Sequence, residues 1–100
     1  MSDFKTNATI HYTSGKKSEE QRCEVLRGQY DTTILLKVGD GWQKFHGNWD
    51  SSIGCLKLKD YNGEFLYLVT DPTMPPNWIG RWEDTDDWGM VYVEMDNAQI

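Results

Sequence analysis

The sequence predicts an all-β fold, a small antiparallel barrel or a rolled sheet or sandwich of about eight short strands. Apolar and polar residues alternate with a period of two along most of the chain, which is typical of half-buried strands. Turn residues interrupt this alternation every 8–12 residues, and no stretch combines helical periodicity with capping residues. A length of 100 residues fits one small domain, so residues 1–100 are expected to form a single β domain.

The first predicted strand contains Ala8, Ile10 and Tyr12, which alternate with polar residues. The charged stretch 14–21 that follows is expected to be a loop, with one helical turn at most. The stretch 22–28 then alternates again and predicts a second strand.

A hairpin is predicted in the middle of the chain. The stretch 32–38 is rich in β-branched residues, and it ends at the turn sequence Gly39-Asp40-Gly41. The stretch 42–47 is expected to form the returning strand.

The next hairpin is predicted around Asn62-Gly63, the strongest short hairpin signal. A two-residue type I′ turn at this position would place Leu58 opposite Tyr67 and Leu56 opposite Val69.

The stretch 70–77 contains three prolines and cannot continue a strand, so it is expected to be a long connection of the kind that often carries function. A last strand pair, 78–82 and 88–95, is predicted around the acidic loop 83–87.

One phrase occurs twice, in 47–60 and in 80–96: glycine, any residue, tryptophan, an acid, a polar link, a second glycine and an alternating run. We expect a strand to end at each Gly-x-Trp-acid and the next strand to open after the second glycine. The glycines would bend the sheet where it curls, and the tryptophan would plug a barrel end.

The net charge of −6 is unevenly distributed. Residues 60–100 hold nine acids and one base, Arg81, whereas residues 1–59 hold seven acids and nine bases. Direct binding to nucleic acid is disfavoured because phosphate contacts need a basic face. An acidic C-terminal half instead favours a basic partner.

The sequence indicates a cytoplasmic protein without membrane segments or cofactors. Its start lacks the apolar core of a signal peptide, and no apolar run has the length of a membrane span. The two cysteines, Cys23 and Cys55, lie in apolar-patterned stretches and are predicted to be buried free thiols. Their spacing matches no zinc or thioredoxin-type motif.

The acidic loop is the strongest local feature, with Glu83, Asp84, Asp86 and Asp87 within five residues. It lacks the D-x-[DN]-x-[DN]-G calcium pattern, so no metal site is predicted. The two alternatives are a solvated turn and an acidic face for a protein partner.

Catalysis is not predicted. The loop acids are adjacent in the chain, with no apolar surroundings to raise the pKa of one of them. His11 and His46 stand alone, so no nucleophilic triad can be assembled from the sequence.

A second hypothesis for binding rests on the five tryptophans, two or three of which are expected to lie in the core. Trp78 and Trp88 border loops and are expected to be the most exposed. The exposed ones would stack on sugar rings, line a barrel mouth or anchor a protein interface. The five are Trp42, Trp49, Trp78, Trp82 and Trp88.

These features predict a non-catalytic binding domain whose acidic C-terminal face and proline-rich loop dock on a basic protein surface. By analogy of size and charge, such a domain suits an inhibitor, of the kind phages make, that occupies the groove of a nucleic-acid-handling host enzyme. The alternative is a barrel that binds a small ligand or carbohydrate through exposed tryptophans. A homodimer through an edge strand is also left open. The predicted binding residues are Trp78, Trp82, Glu83, Asp84, Asp86, Asp87 and Trp88.

Overall fold

Eight antiparallel strands follow one another around a closed barrel in the computed structural model, which describes residues 4–14 and 17–96. Each strand pairs with the next in the chain, and β8 closes the barrel by pairing with β1. The predicted all-β class and the number of strands are confirmed. Within these residues, no helix is long and apolar enough to cross a membrane. The strands are β1 (Phe4–Ser14), β2 (Lys17–Arg27), β3 (Thr32–Val38), β4 (Gly41–Asp50), β5 (Cys55–Lys59), β6 (Phe65–Thr70), β7 (Trp78–Glu83) and β8 (Trp88–Met95).

The core fills the inside of the barrel, and every strand contributes to it. Alternate residues point inward, as in β3, where Thr32, Ile34 and Leu36 are buried and the residues between them are not. This alternation is the period of two seen in the sequence. The buried apolar residues are Ala8, Ile10, Cys23, Val25, Ile34, Leu36, Phe45, Leu56, Leu58, Leu66, Leu68, Trp78, Val91, Val93 and Met95.

The expectation of a charged loop or helical turn at 14–21 is wrong for most of that stretch, because β2 begins at Lys17. Its first half pairs with β1, for example His11 with Glu20, whereas its ladder with β3 begins only at Cys23. Residues 18–22 of β2 have no partner in β3 and are exposed or half-buried, so this part of the strand needs no apolar face. Gly15 and Lys16 lie outside the described residues.

The predicted hairpin turn at Gly39-Asp40 is confirmed, whereas the one at Asn62-Gly63 is longer than predicted. Gly39 and Asp40 form a two-residue turn, and Gly39 has a φ of 58°, as a type II′ turn requires at its first central position. The turn at Asn62-Gly63 instead has three residues between Asp60 and Glu64, and only Gly63 has a positive φ. The predicted register is therefore wrong by one residue.

The corrected register makes the inner face of the β5–β6 hairpin entirely leucine. Leu56 lies opposite Leu68, and Leu58 lies opposite Leu66. All four leucines are buried, while Lys57 and Tyr67 pair on the outer face. The extra turn residue thus aligns the two apolar faces, which the two-residue turn would have set out of phase.

Three of the four glycines of the doubled phrase, Gly47, Gly80 and Gly89, lie where neighbouring strands approach closely, whereas Gly54 lies in a turn with a φ of 72°. A Cβ atom at Gly47 would lie 2.0 Å from the carbonyl oxygen of Lys57, and one at Gly80 would lie 1.7 Å from that of Tyr67. Only glycine fits at such positions, and a small barrel needs them where its strands bend. The expected tryptophan plug fails in the first copy, because Trp49 is 60% exposed.

Asp50 and Glu83, the acids that follow the tryptophans of the doubled phrase, are the last residues of their strands, next to turns. In four turns of the barrel, an aspartate side chain accepts a hydrogen bond from the backbone amide two residues later in the chain. Oδ1 of Asp50 accepts a hydrogen bond from the amide of Ser52 at 3.0 Å. Asp60, Asp71 and Asp84 do the same toward residues 62, 73 and 86, at 2.8–3.0 Å. These are Asx turns, which aspartate forms readily. Four of the sixteen acids of the chain therefore have a structural role in turns.

Candidate functional site

One end of the barrel is acidic, and we call it the acidic end. Three of its connections are described: the β3–β4 turn (39–40), the β5–β6 turn (60–64) and the β7–β8 turn (84–87). They contain six acids and no lysine or arginine. The three connections at the opposite end (28–31, 51–54 and 71–77) contain two acids. The acids of the acidic-end turns are Asp40, Asp60, Glu64, Asp84, Asp86 and Asp87.

A buried carboxylate organises the β5–β6 turn. Asp60 is 3% exposed, and its Oδ1 accepts hydrogen bonds from the amides of Asn62 and Glu64, both at 2.9 Å. The side-chain amide of Gln43 donates to Oδ2 of Asp60 at 2.7 Å and to Oε1 of Glu64 at 3.0 Å. One glutamine on β4 thereby holds two carboxylates close together.

The β7–β8 turn is built by its own acids. Oδ1 of Asp84 accepts hydrogen bonds from the amides of Asp86 and Asp87, at 2.8 and 2.7 Å. Oδ1 of Asp87 accepts from the amide of Trp88 at 2.8 Å. Asp84 is thus an architectural residue as well as a source of negative charge.

Trp82 and Trp88 lie at this end on opposite faces of the wall. Trp82 points inward, packs against the core and meets Tyr12 edge to face, with ring centroids 6.3 Å apart. Trp88 points outward and is 61% exposed, as expected, and the guanidinium of Arg81 lies 5.4 Å from its ring centroid. Arg81 also pairs with Glu83 at 3.5 Å.

Trp78 does not belong to this group. It lies at the opposite end of β7 from Glu83 and is 4% exposed, so the expectation that it is exposed is wrong. Its side chain points inward at the start of β7, where it closes the other end of the core. The guanidinium of Arg27 covers its ring at 5.7 Å.

The other predicted surface features are spread over the barrel. The proline-rich connection 71–77 joins β6 to β7 at the end away from the acidic loop, so the two do not form one docking face. Trp49 lies at that same far end, whereas Trp42 lies beside the β3–β4 turn at the acidic end. The five tryptophans therefore do not share one stacking surface.

A cavity of about 180 Å³ lies inside the acidic end. Its inner wall is made of core residues, among them Ile10 and Phe45, and Trp82 lines it as well. Its polar lining includes Gln43, Glu64 and Asp84. The cavity thus lies between the buried apolar core and the carboxylates of the β5–β6 and β7–β8 turns.

The electrostatics of this cavity are negative. Burial raises the pKa of the Glu64 carboxyl, and the nearby charges of Asp60 and Asp84 raise it further, against the opposing effect of the hydrogen bond from Gln43. Burial, followed by a hydrogen bond to Glu19, raises the pKa of the Tyr12 hydroxyl. Burial is the main cause of both pKa shifts, and neighbouring carboxylates add to each of them.

Two surface depressions flank the acidic end. One lies between the β3–β4 and β5–β6 turns and is lined by Trp42, Tyr61 and Glu64 among others. The other is lined by residues that include Asp87 and Trp88. Trp42 and Tyr61 are exposed. Large aromatic side chains thus stand beside the carboxylates.

The two histidines lie beside acids of neighbouring segments, and the two cysteines are unpaired with each other. Nδ1 of His11 lies 3.4 Å from Oε1 of Glu20, and its Nε2 lies 3.2 Å from Oε1 of Glu94. Both contacts join neighbouring strands, and the sequence did not predict them. His46 lies 2.9 Å from Asp31. Among residues 4–14 and 17–96, no three histidine, cysteine or acidic side chains are placed to hold a metal ion. Both cysteines are free, with Cys23 buried and Cys55 half-buried at the start of β5.

Sequence reasoning missed Asp60, Glu64, Gln43 and Tyr12 as residues of the acidic end. A signal for Asp60 was present, because an aspartate two residues before Asn-Gly is a frequent start of a turn. Gln43 and Tyr12 lie on distant strands, and only the closure of the barrel brings them to Glu64. No protein-family model and no curated protein matches this sequence.

Proposed function

We propose that the protein is a non-catalytic binding domain that docks its acidic end on a basic protein surface. The observation that carries this proposal is the placement of six acids, with no lysine or arginine, in the three described turns of one barrel end. An excess of charge of one sign attracts a partner of the other sign and speeds their encounter.

Aromatic side chains supply the contacts that charge alone does not. Trp88 on one side of the acidic end and Trp42 and Tyr61 on the other are exposed beside the acidic turns. Exposed aromatic residues near a charged rim are a common layout of protein interfaces, since they bury much area at low entropic cost. The closed barrel holds these side chains at its end.

A fitting partner is a basic groove such as that of a nucleic-acid-handling enzyme. The exposed carboxylates of the three turns, Asp40, Asp84, Asp86 and Asp87, would take the place of phosphates there, and the domain would act as an inhibitor. This form of the proposal rests on charge and size, and it predicts that the partner loses nucleic-acid binding when the domain is bound.

A triple variant tests the docking end: Glu83→Gln, Asp86→Asn and Asp87→Asn, with Asp84 kept because it holds the turn. A matched control removes the same charge elsewhere, through Glu24→Gln, Asp31→Asn and Glu94→Gln. Each protein is immobilised and exposed to lysate of the native host at 50 and 500 mM salt. Proteins retained by the parent are identified, purified and measured for association rate.

We expect a basic protein that the parent and the control retain at low salt and release at high salt. The triple variant should associate with it about tenfold more slowly at low salt, while keeping its stability. Equal association rates for the parent and the triple variant would show that the acidic end is only a solvated surface.

A further inference from the structure

The cavity inside the acidic end has a size and a lining that define a ligand class. Its volume is about 180 Å³. One water molecule needs about 10–15 Å³ of such space, so the cavity is much larger than a single-water site. It has room for a short organic side chain. Tyr12, Trp82, Gln43, Glu64 and Asp84 are half-buried or exposed, whereas the rest of the lining is buried and apolar.

The charged side chains of the lining are Glu64 and Asp84, both of them acids. Gln43 joins Glu64 to a third carboxylate, that of Asp60. The rings of Tyr12 and Trp82 stand against the same space and meet edge to face. Carboxylates combined with aromatic rings are the groups that bind an organic cation, whereas an anion would be repelled.

We propose that this cavity binds a single ammonium or guanidinium group carried on a short alkyl chain. The cation would lie between Glu64 and Asp84, and the alkyl chain would pack inward against Trp82 and the buried apolar wall. Burial is the main cause of the raised pKa of Glu64, but the charges of Asp60 and Asp84 add to it, and a bound cation would offset their repulsion.

This inference deepens the proposed function. The cation has two sources: a lysine or arginine side chain of the docked basic partner, or a free alkyl amine. If the cation is a side chain of the partner, the cavity is the pocket for one anchoring lysine or arginine, and the acidic turns around it contact the rest of the basic surface.

The test uses n-butylammonium chloride as the probe and n-butanol as its uncharged counterpart of equal length. Both are titrated into the isotopically labelled protein at constant ionic strength, set with sodium chloride. Chemical shifts of the backbone amides and of the assigned Trp82 indole N–H report binding. We expect butylammonium to bind with a Kd of about 1 mM and to shift Trp82 and Gln43, and butanol to bind more weakly by at least about tenfold. Equal shifts with both probes would overturn the proposal.

Variants then test whether the carboxylate of Glu64 recognises the cation. Glu64→Gln should weaken butylammonium binding about tenfold while leaving butanol unchanged. Asp86→Asn removes the same charge from an acid that does not line the cavity, and it should change the affinity less than twofold. Glu64→Asp keeps the charge and should retain the preference for the cation. Unchanged affinity in Glu64→Gln, with the spectrum of a folded protein, would show that the cavity does not recognise the charge.

A competition arm separates the two sources. If saturating butylammonium lowers the affinity for the basic partner, the cavity takes a side chain of that partner. If butylammonium binds without affecting the partner, a free amine is the ligand. Failure of the salt and charge-variant test would reject the docking function while leaving the butylammonium result standing, so the two proposals fail separately.

Discussion

The indole N–H of Trp82 donates a hydrogen bond to the carbonyl oxygen of Thr13 at 2.7 Å, across the space that Gly89 leaves open. A Cβ atom at Gly89 would lie 1.7 Å from that carbonyl oxygen and 2.7 Å from the indole nitrogen. The second glycine of the second phrase thus lets β1 approach β8 and lets Trp82 tie β7 to β1. This contact fixes one wall of the cavity at the acidic end.

Replacing Gly89 with alanine should therefore destabilise the protein by about 1–3 kcal/mol, because the backbone of β1 must move to accept the added methyl group. Gly41→Ala is the matched control, since a Cβ atom at Gly41 meets nothing within 4 Å. Urea unfolding gives both free energies. Equal stability of the two variants would contradict the close approach of β1 and β8.

Gly63 tests a different property, the shape of the backbone. Its φ is 95°, and a Cβ atom there would meet nothing within 4 Å, so any cost of substitution comes from backbone strain alone. Gly63→Val should lower the free energy of unfolding by about 1–3 kcal/mol. A melting temperature equal to that of the parent would show that the turn does not need the positive φ.

The sequence predicted local features well and contacts between distant strands poorly. Eight strands, the Gly39-Asp40 turn and the inward alternation follow from a period of two and from turn residues. The β5–β6 register did not, because Asn-Gly serves both a two-residue turn and a three-residue turn, and Asp60 selects the longer one.

In the candidate site too, the sequence predicted residues that are adjacent in the chain and missed contacts between distant strands. The acids of the β7–β8 turn could be picked out because they are adjacent in the chain. Their grouping with Asp60, Glu64 and Asp40 could not, because it depends on which strand ends meet around the barrel. Trp78 was placed wrongly because proximity to a loop says nothing about which face of the strand a side chain occupies.

Asp60 is predicted to be the acid of the turns that matters most for stability. Its buried carboxylate accepts hydrogen bonds from two backbone amides and from Gln43. Asp60→Ala leaves these donors without their acceptor and should cost about 1–3 kcal/mol. Asp86→Ala, at an exposed turn position, is the control and should change stability by less than about 0.5 kcal/mol. Similar losses in both variants, measured by chemical unfolding, would contradict the role of the buried network.

The two cysteines should react at different rates, although the sequence alone predicts that both are buried. Burial raises the pKa of the Cys23 thiol to about 12, so at pH 8 hardly any thiolate is present. Burial also raises the pKa of Cys55, but this residue is only half-buried. A thiol reagent should label Cys55 at least about tenfold faster, and Cys55→Ser should stay unlabelled until the protein unfolds. Fast labelling of Cys55→Ser under native conditions would contradict the core position of Cys23.

Glu64 gives the protein a predicted dependence on pH. Its folded-state pKa is raised, chiefly by burial and then by Asp60 and Asp84, so the folded protein binds a proton here more tightly than the unfolded chain does. The favourable contribution of this group is complete below the unfolded pKa and is lost as the pH rises through the folded pKa. At pH 7 the charged carboxylate therefore makes the fold less stable than a neutral group would.

Glu64→Gln should consequently raise the free energy of unfolding at pH 7, because the amide still offers an oxygen to Gln43 and carries no charge. At pH 3 the parent carboxyl is itself protonated, and the difference between the two proteins should disappear. Urea unfolding of both proteins at the two pH values measures this change. Glu24→Gln on the barrel wall controls for the loss of one charge from an acidic protein and should show a smaller gain. A Glu64→Gln variant that is less stable than the parent at pH 7 would show that the charged carboxylate stabilises the acidic end.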